Sequence, residues 1–209
     1  MARERINRKT AYHHGDLRRT LVLAARRLIE TKGPAHLSLR GAARLAGVSA
    51  AAPYRHFADK SALLAAVLQE GFAQLAKELA GARARAKGPV PALVAVGNQY
   101  VRFAEANTSV YRLMFGPTLD KAQHPELQAA GLSALGELLG AVTVCHEAGL
   151  LEKNVEVHEL ALGGWALCHG LASLHVDGAL GQTLPVDVHA VGDTLIHFML
   201  NGALKSSRR

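Results

Sequence analysis

Apolar positions recur at intervals of three and four over most of the chain, the spacing that gives a helix one buried stripe. Leu17, Leu21, Ala24, Ala25, Leu28 and Ile29 form the first stripe. Asp16 opens it as a side-chain cap, and Lys32, Gly33 and Pro34 close it as successive stop signals. Ser38 caps a short second helix over 39–46, which Gly47 ends by accepting positive φ, with Val48 as an apolar plug. Ser49 is expected to cap a third helix through Phe57. Asp59 caps a fourth that runs from Lys60 through Leu63, Leu64, Val67, Leu68, Phe72, Leu75 and Leu79 to the neighbourhood of Ala86. Beyond a basic stretch at 81–88, whose Arg83, Arg85 and Lys87 read as a solvated helix end, Pro89 restarts the chain. Helices are then expected over 89–107, 109–115, 125–149, 155–178 and 186–203, with a loop across 116–123. β-branched residues are scattered and form no alternating runs. The expected fold class is all-α: an N-terminal three-helix helix-turn-helix domain over 1–59 and a C-terminal helical bundle over 60–209, about nine helices in total.

Charge divides the chain in the same place. Residues 1–60 hold 13 Lys or Arg against 4 Asp or Glu, and residues 61–209 hold 11 against 13, so the net charge of +7 lies entirely at the front. A basic block before a nearly neutral body is the footprint of a nucleic-acid-binding module joined to a part with another task. Arg18, Arg19, Arg26, Arg27, Arg40, Arg44, Arg55 and Lys60 are interleaved with periodic apolar residues, which places them on folded helices. Arg3, Arg5, Arg8 and Lys9 form an arm that either reaches a minor groove or only solubilises the terminus. The longest uncharged stretch, 160–176, is short for a membrane span and carries two histidines and several glycines. With no secretory signal and only Cys145 and Cys168, a cytoplasmic protein is expected.

Two short helices joined by Gly47-Val48-Ser49 make a helix-turn-helix. The stretch LSLRGAARLAGVSAAAPYRHFADKSALLAAV at 37–67 resembles the DNA-binding signature of the TetR family, in its AGVS turn, its YRHF segment and its capped Lys. The resemblance spans about residues 10–72 and implies a homodimer on a double-stranded DNA operator. The DNA-contacting positions are then Ser38, Arg40, Ser49, Ala50, Ala51, Tyr54, Arg55, His56 and Lys60. The chemistry suits them. Small Ala50, Ala51 and Ala52 let a recognition helix approach base edges, and Tyr54, His56 and Lys60 can donate to phosphates. Base readout rests on Arg40, His56 and methyl contacts from the alanines, with Arg55 facing phosphate or solvent. Phe57 reads as core and Tyr54 as a DNA contact, while His56 is open between the two. Where many relatives carry Gly, Thr or Ser, and Leu, this chain has Ala51, Ala52 and Pro53. Pro53 near the first turn is expected to leave the third helix intact.

In the second half, Gly164 to Gly170 reads GWALCHG and resembles the Trp-His-Gly element of one class of TetR-type C-terminal domains. At helical spacing Trp165, Cys168 and His169 share a face, and Phe103, Asn107, Tyr111, Met114 and Phe115 add aromatic and flexible apolar groups. Together they are the candidate lining for a small apolar or amphipathic effector, although the same residues would serve equally as ordinary core. No metal-ligand spacing is present beyond the adjacent Cys145-His146 and Cys168-His169 pairs, and no cofactor is implied. The last two helices carry apolar residues on more than one side, with Gly163 and Gly170 seven apart, so they are the expected dimer contact. An enzyme would need a nucleophile beside a base, a phosphate-binding loop or an apolar carboxylate pair, none of which the sequence offers. A ligand-released repressor is the reading, and a ligand-independent or partner-controlled DNA-binding protein is the alternative.

Overall fold

The computed structural model describes residues 17–180 and 187–204; the expected Asp16 cap and the arm from Arg3 to Lys9 lie outside them. Those residues form eight α-helices and three 3-10 turns. They are α1 (Leu17–Lys32), α2 (Leu39–Ala46), α3 (Lys60–Arg85), α4 (Pro89–Ala106), α5 (Thr108–Phe115), α6 (Pro125–Glu147), α7 (Val157–Val176) and α8 (Val188–Ala203). The all-α expectation holds. The chain divides into two compact units, one ending at Leu63 and one beginning at Leu64, so the division falls within the first turns of α3.

The first unit closes around the apolar stripe of α1, whose Leu21, Val22, Ala25, Leu28 and Ile29 are all buried with Leu39, Ala42 and Ala43 of α2. Gly33, at φ 84, ends α1 in a conformation that a side chain would strain. Ser38 caps α2 by accepting from the Gly41 N–H at 3.0 Å. Gly41 has a packing reason too, since a Cβ there would stand 3.2 Å from Leu28 Cδ1 and 2.8 Å from Ser38 Oγ. Gly47 closes α2 at φ 69.

The expected third α-helix is absent. In its place is a single 3-10 turn, Ala52–Arg55, and Ser49 makes no side-chain cap to it. Pro53 is the cause. An α-helix would need the amide of residue 53 to reach the Ser49 carbonyl, and proline has none, so Ala52 N–H takes that carbonyl one residue earlier, at 3.0 Å. The His56 and Phe57 amides then share the Pro53 carbonyl, each at 2.9 Å, and the turn stops.

In the second unit α4 is the centre and packs against α6, α7 and α8, with α6 on α7 and α7 on α8. Gly97 permits the close approach of α8, because a Cβ would meet Ile196 Cδ1 at 2.6 Å and Cys168 Sγ at 3.2 Å. Asn107 breaks α4 from α5: its backbone leaves the helical region and its side-chain amide donates to the Phe103 carbonyl at 2.9 Å. The Asp187 carboxylate starts α8 by accepting from the His189 and Ala190 amides. α6 is long and apolar enough to cross a membrane by length and composition, but here it is a bundle helix against α4 and α7.

Candidate DNA-contact surface and apolar cavity

The surface of the first unit is built from groups left over by capping and packing. Ser38 is exposed but its hydroxyl is occupied by the cap of α2, with exposed Arg40 two residues on. Ser49, Ala50 and Ala51 are exposed on the turn, and Pro53 is buried beneath the 3-10 turn and anchors it. That anchoring leaves Tyr54 54% exposed and Arg55 and His56 exposed, while Phe57 turns into the core at 3%. The Arg18 guanidinium lies 5.4 Å from the Phe57 ring centroid, so this cation is partly held by a ring face. Asp59 Oδ1 accepts from the Ala62 N–H at 2.8 Å and sets the start of α3, which presents exposed Lys60 in its first turn. All nine sequence-expected positions are therefore at the surface, Ser38 with its hydroxyl engaged.

The second unit contains a cavity of about 520 Å³. Phe72, Leu75 and Leu79 of α3, Val96, Gly97 and Tyr100 of α4, Met114 and Phe115 of α5, and Trp165 and Cys168 of α7 form much of its wall. α6 adds Gln128, Gly131, Leu132, Ala134, Leu135 and Leu138, and Lys121 comes from the 3-10 turn before α6. Gln128 and Leu132 are exposed, so the cavity opens beside them. Of the sequence-expected set, Met114, Phe115, Trp165 and Cys168 line it. Phe103, Asn107, Tyr111 and His169 do not. Phe103 is 1% exposed within the packing of α4, and Asn107 is occupied by the helix break.

Tyr111 and His169 stand behind the wall and support it. The Tyr100 and Tyr111 hydroxyls lie 2.9 and 2.7 Å from His169 Nδ1, and Trp165 Nε1–H donates to the Tyr100 oxygen at 3.4 Å. Burial raises the pKa of both phenols, so they stay protonated, and burial lowers that of His169, which keeps the imidazole neutral. A neutral ring with a phenol donating to Nδ1 carries its proton on Nε2. Nδ1 has one lone pair for two phenols; Tyr111 also has Ser173 Oγ and the His169 carbonyl within 3.5 Å. The Phe115 ring closes the cluster, 4.5 Å from the His169 ring centroid. The Cys168 thiol is pushed up to about 12 by burial and so is a neutral part of the lining.

The depressed His169 pKa links folding to pH. In the unfolded chain His169 protonates near its ordinary value of 6.5, whereas in the folded chain it resists protonation, so stability falls as pH drops below that value. His169→Gln keeps an acceptor for the phenols but does not titrate. Between about pH 7.5 and about pH 5 the wild type is expected to lose more of its urea midpoint than the variant, and equal losses would remove His169 from the acid response.

Residues 21–67 match the family model for bacterial regulatory proteins of the tetR family, and residues 93–199 match that for a tetracyclin repressor-like C-terminal domain. A solved protein with unknown function from Rhodococcus sp. RHA1 is 32% identical, with TM-score 0.83, over 94% of this chain and 100% of that one. A TetR family transcription regulator from Marinobacter aquaeolei VT8 is 21% identical, with TM-score 0.66, over 90% of this chain and 96% of that one. FadR from Bacillus subtilis, solved with stearoyl-CoA, shares the fold at 14% identity and TM-score 0.70, over 88% of this chain and 98% of that one. No curated protein sequence matches the chain significantly.

Proposed function

The chain belongs to the tetR family of bacterial regulatory proteins, and on that premise we propose that it is a transcriptional repressor that a small apolar or amphipathic molecule releases from DNA. The observation that carries this reading is the apolar cavity of the second unit, about 520 Å³, a size that suits a small organic ligand. A ligand-independent regulator would have that space filled by side chains. Release requires the ligand to favour the DNA-incompetent conformation, a reciprocal coupling of about 1–3 kcal/mol between the two sites. The protein acts in the cytoplasm as a homodimer through α7 and α8. Exposed Leu162, Leu174, Leu195 and Phe198 support that pairing, as does the open space beside Gly163, Gly170 and Gly202. Two DNA-contacting surfaces about a two-fold axis then meet major grooves about 34 Å apart on a pseudo-palindromic operator.

Within the DNA surface, Lys60 and Tyr54 are assigned to phosphates and Arg40 to a base edge. Lys60→Ala is expected to weaken operator and random duplex alike and to reduce the slope of log affinity against log salt by about one unit. Tyr54→Phe weakens both without changing the slope. Arg40→Ala costs about 1–3 kcal/mol on the operator and less on random duplex. Binding isotherms on both duplexes across a salt series separate these roles. Equal losses for Arg40→Ala would make it another phosphate contact, and an unchanged Lys60→Ala would mean that this surface does not dock on DNA as assigned.

A further inference from the structure

Lys121 stands half-buried on the cavity wall. Its Nζ donates to the Gly116 carbonyl at 3.3 Å and pairs with no carboxylate among the described residues, so most of its donor capacity is unspent. The wall contains no Asp or Glu. Its other polar groups are mostly settled among themselves: Tyr100 accepts from Trp165 and reaches His169, and Cys168 is a neutral thiol. The one charge on the lining is therefore positive, and exposed Gln128 stands near the start of α6, the helix against which the Lys121 turn packs. From Gln128 to Leu138 the lining follows α6 for about 15 Å at the helical rise, changing from polar at the first residue to apolar along the rest.

We propose that the cavity takes an anionic amphiphile, an aliphatic chain with one carboxylate head group, with the head on Lys121 and Gln128 and the chain running along α6 toward Leu79 and Leu138. The assignment rests on the reading of the cavity as the effector site. A neutral ligand closing over Lys121 would strip water from an ammonium and leave it without a counter-charge. A cationic ligand would add repulsion. A carboxylate restores the lost hydration with charge-assisted hydrogen bonds, and its chain replaces water against leucine, valine and phenylalanine.

Calorimetric titration of the full chain with dodecanoate, dodecan-1-ol and dodecyltrimethylammonium, each below its micelle-forming concentration, tests the assignment. The wild type is expected to bind dodecanoate roughly tenfold or more tightly than the alcohol, and the ammonium weakest. Lys121→Gln should bring dodecanoate to within about threefold of the alcohol, and Lys121→Arg should keep the preference, which separates charge from a general structural effect. Equal binding of acid and alcohol by the wild type, or a preference that survives Lys121→Gln, would overturn the anionic assignment and leave the cavity as an effector site. Binding of none of the three probes would overturn it together with the effector reading for this class of molecule.

Discussion

Phe198→Glu is expected to turn the protein into monomers and to abolish tight operator binding. Phe198 is 80% exposed on α8, and on the same two helices Leu162 and Leu174 of α7 and Leu195 of α8 are also exposed. Burying a phenylalanine side chain contributes about 1.5–3 kcal/mol, and a two-fold interface counts it once in each protomer. Glutamate removes both contributions and brings two like charges into an apolar contact, so the dimer dissociation constant should rise on the order of a thousandfold. A monomer then holds one half-site where the dimer held two. Sedimentation velocity at micromolar protein, paired with operator isotherms, reads both effects. A variant that stays dimeric with unchanged operator affinity would place the dimer contact on another face.

The second large effect is on stability. Phe103 is 1% exposed on α4, the helix against which α6, α7 and α8 all pack, and it does not reach the cavity. Phe103→Ala should therefore cost about 3–5 kcal/mol through lost contacts and the hole left behind. For a chain of this size the thermal midpoint should fall on the order of 10 °C. Trp165→Ala acts differently: Trp165 is half-buried on the cavity wall, so its loss costs less stability and changes ligand response more than operator affinity. Near-native stability in Phe103→Ala, measured by calorimetry, would mean that the packing around α4 closes over the missing ring.

The helices were legible in the sequence because their ends are chemical. Ser38 and Asp59 are caps, Gly33 and Gly47 need positive φ, and each leaves a local mark that no distant contact overrides. The third helix differs from its expected form for a reason equally local: beyond the amide that Pro53 lacks, the carbonyl of Ser49 needs a partner and takes the Ala52 N–H. The cavity was half legible. The aromatic groups around Trp165 stand out by residue type, but Leu135, Leu138, Leu75 and Leu79 are indistinguishable in sequence from leucines that fill a core. Periodicity shows which face of a helix is apolar; whether facing side chains meet or leave space depends on how helices distant in sequence pack. Lys121 and Gln128 had no sequence signal for the same reason, as ordinary polar residues in and after a loop. The Tyr100, Tyr111 and His169 cluster joins residues up to 69 positions apart, beyond any local pattern.

The proposed repressor reads DNA as a symmetric dimer. Incubating the purified full-length protein with a pool of random duplexes and sequencing the bound fraction over successive rounds tests it most directly. A symmetric dimer should enrich an inverted repeat whose half-sites are centred about one helical turn apart, roughly 10 base pairs, with Arg40→Ala relaxing the preference at one position in each half. Bound duplexes with no inverted symmetry, or no enrichment over the starting pool, would contradict it.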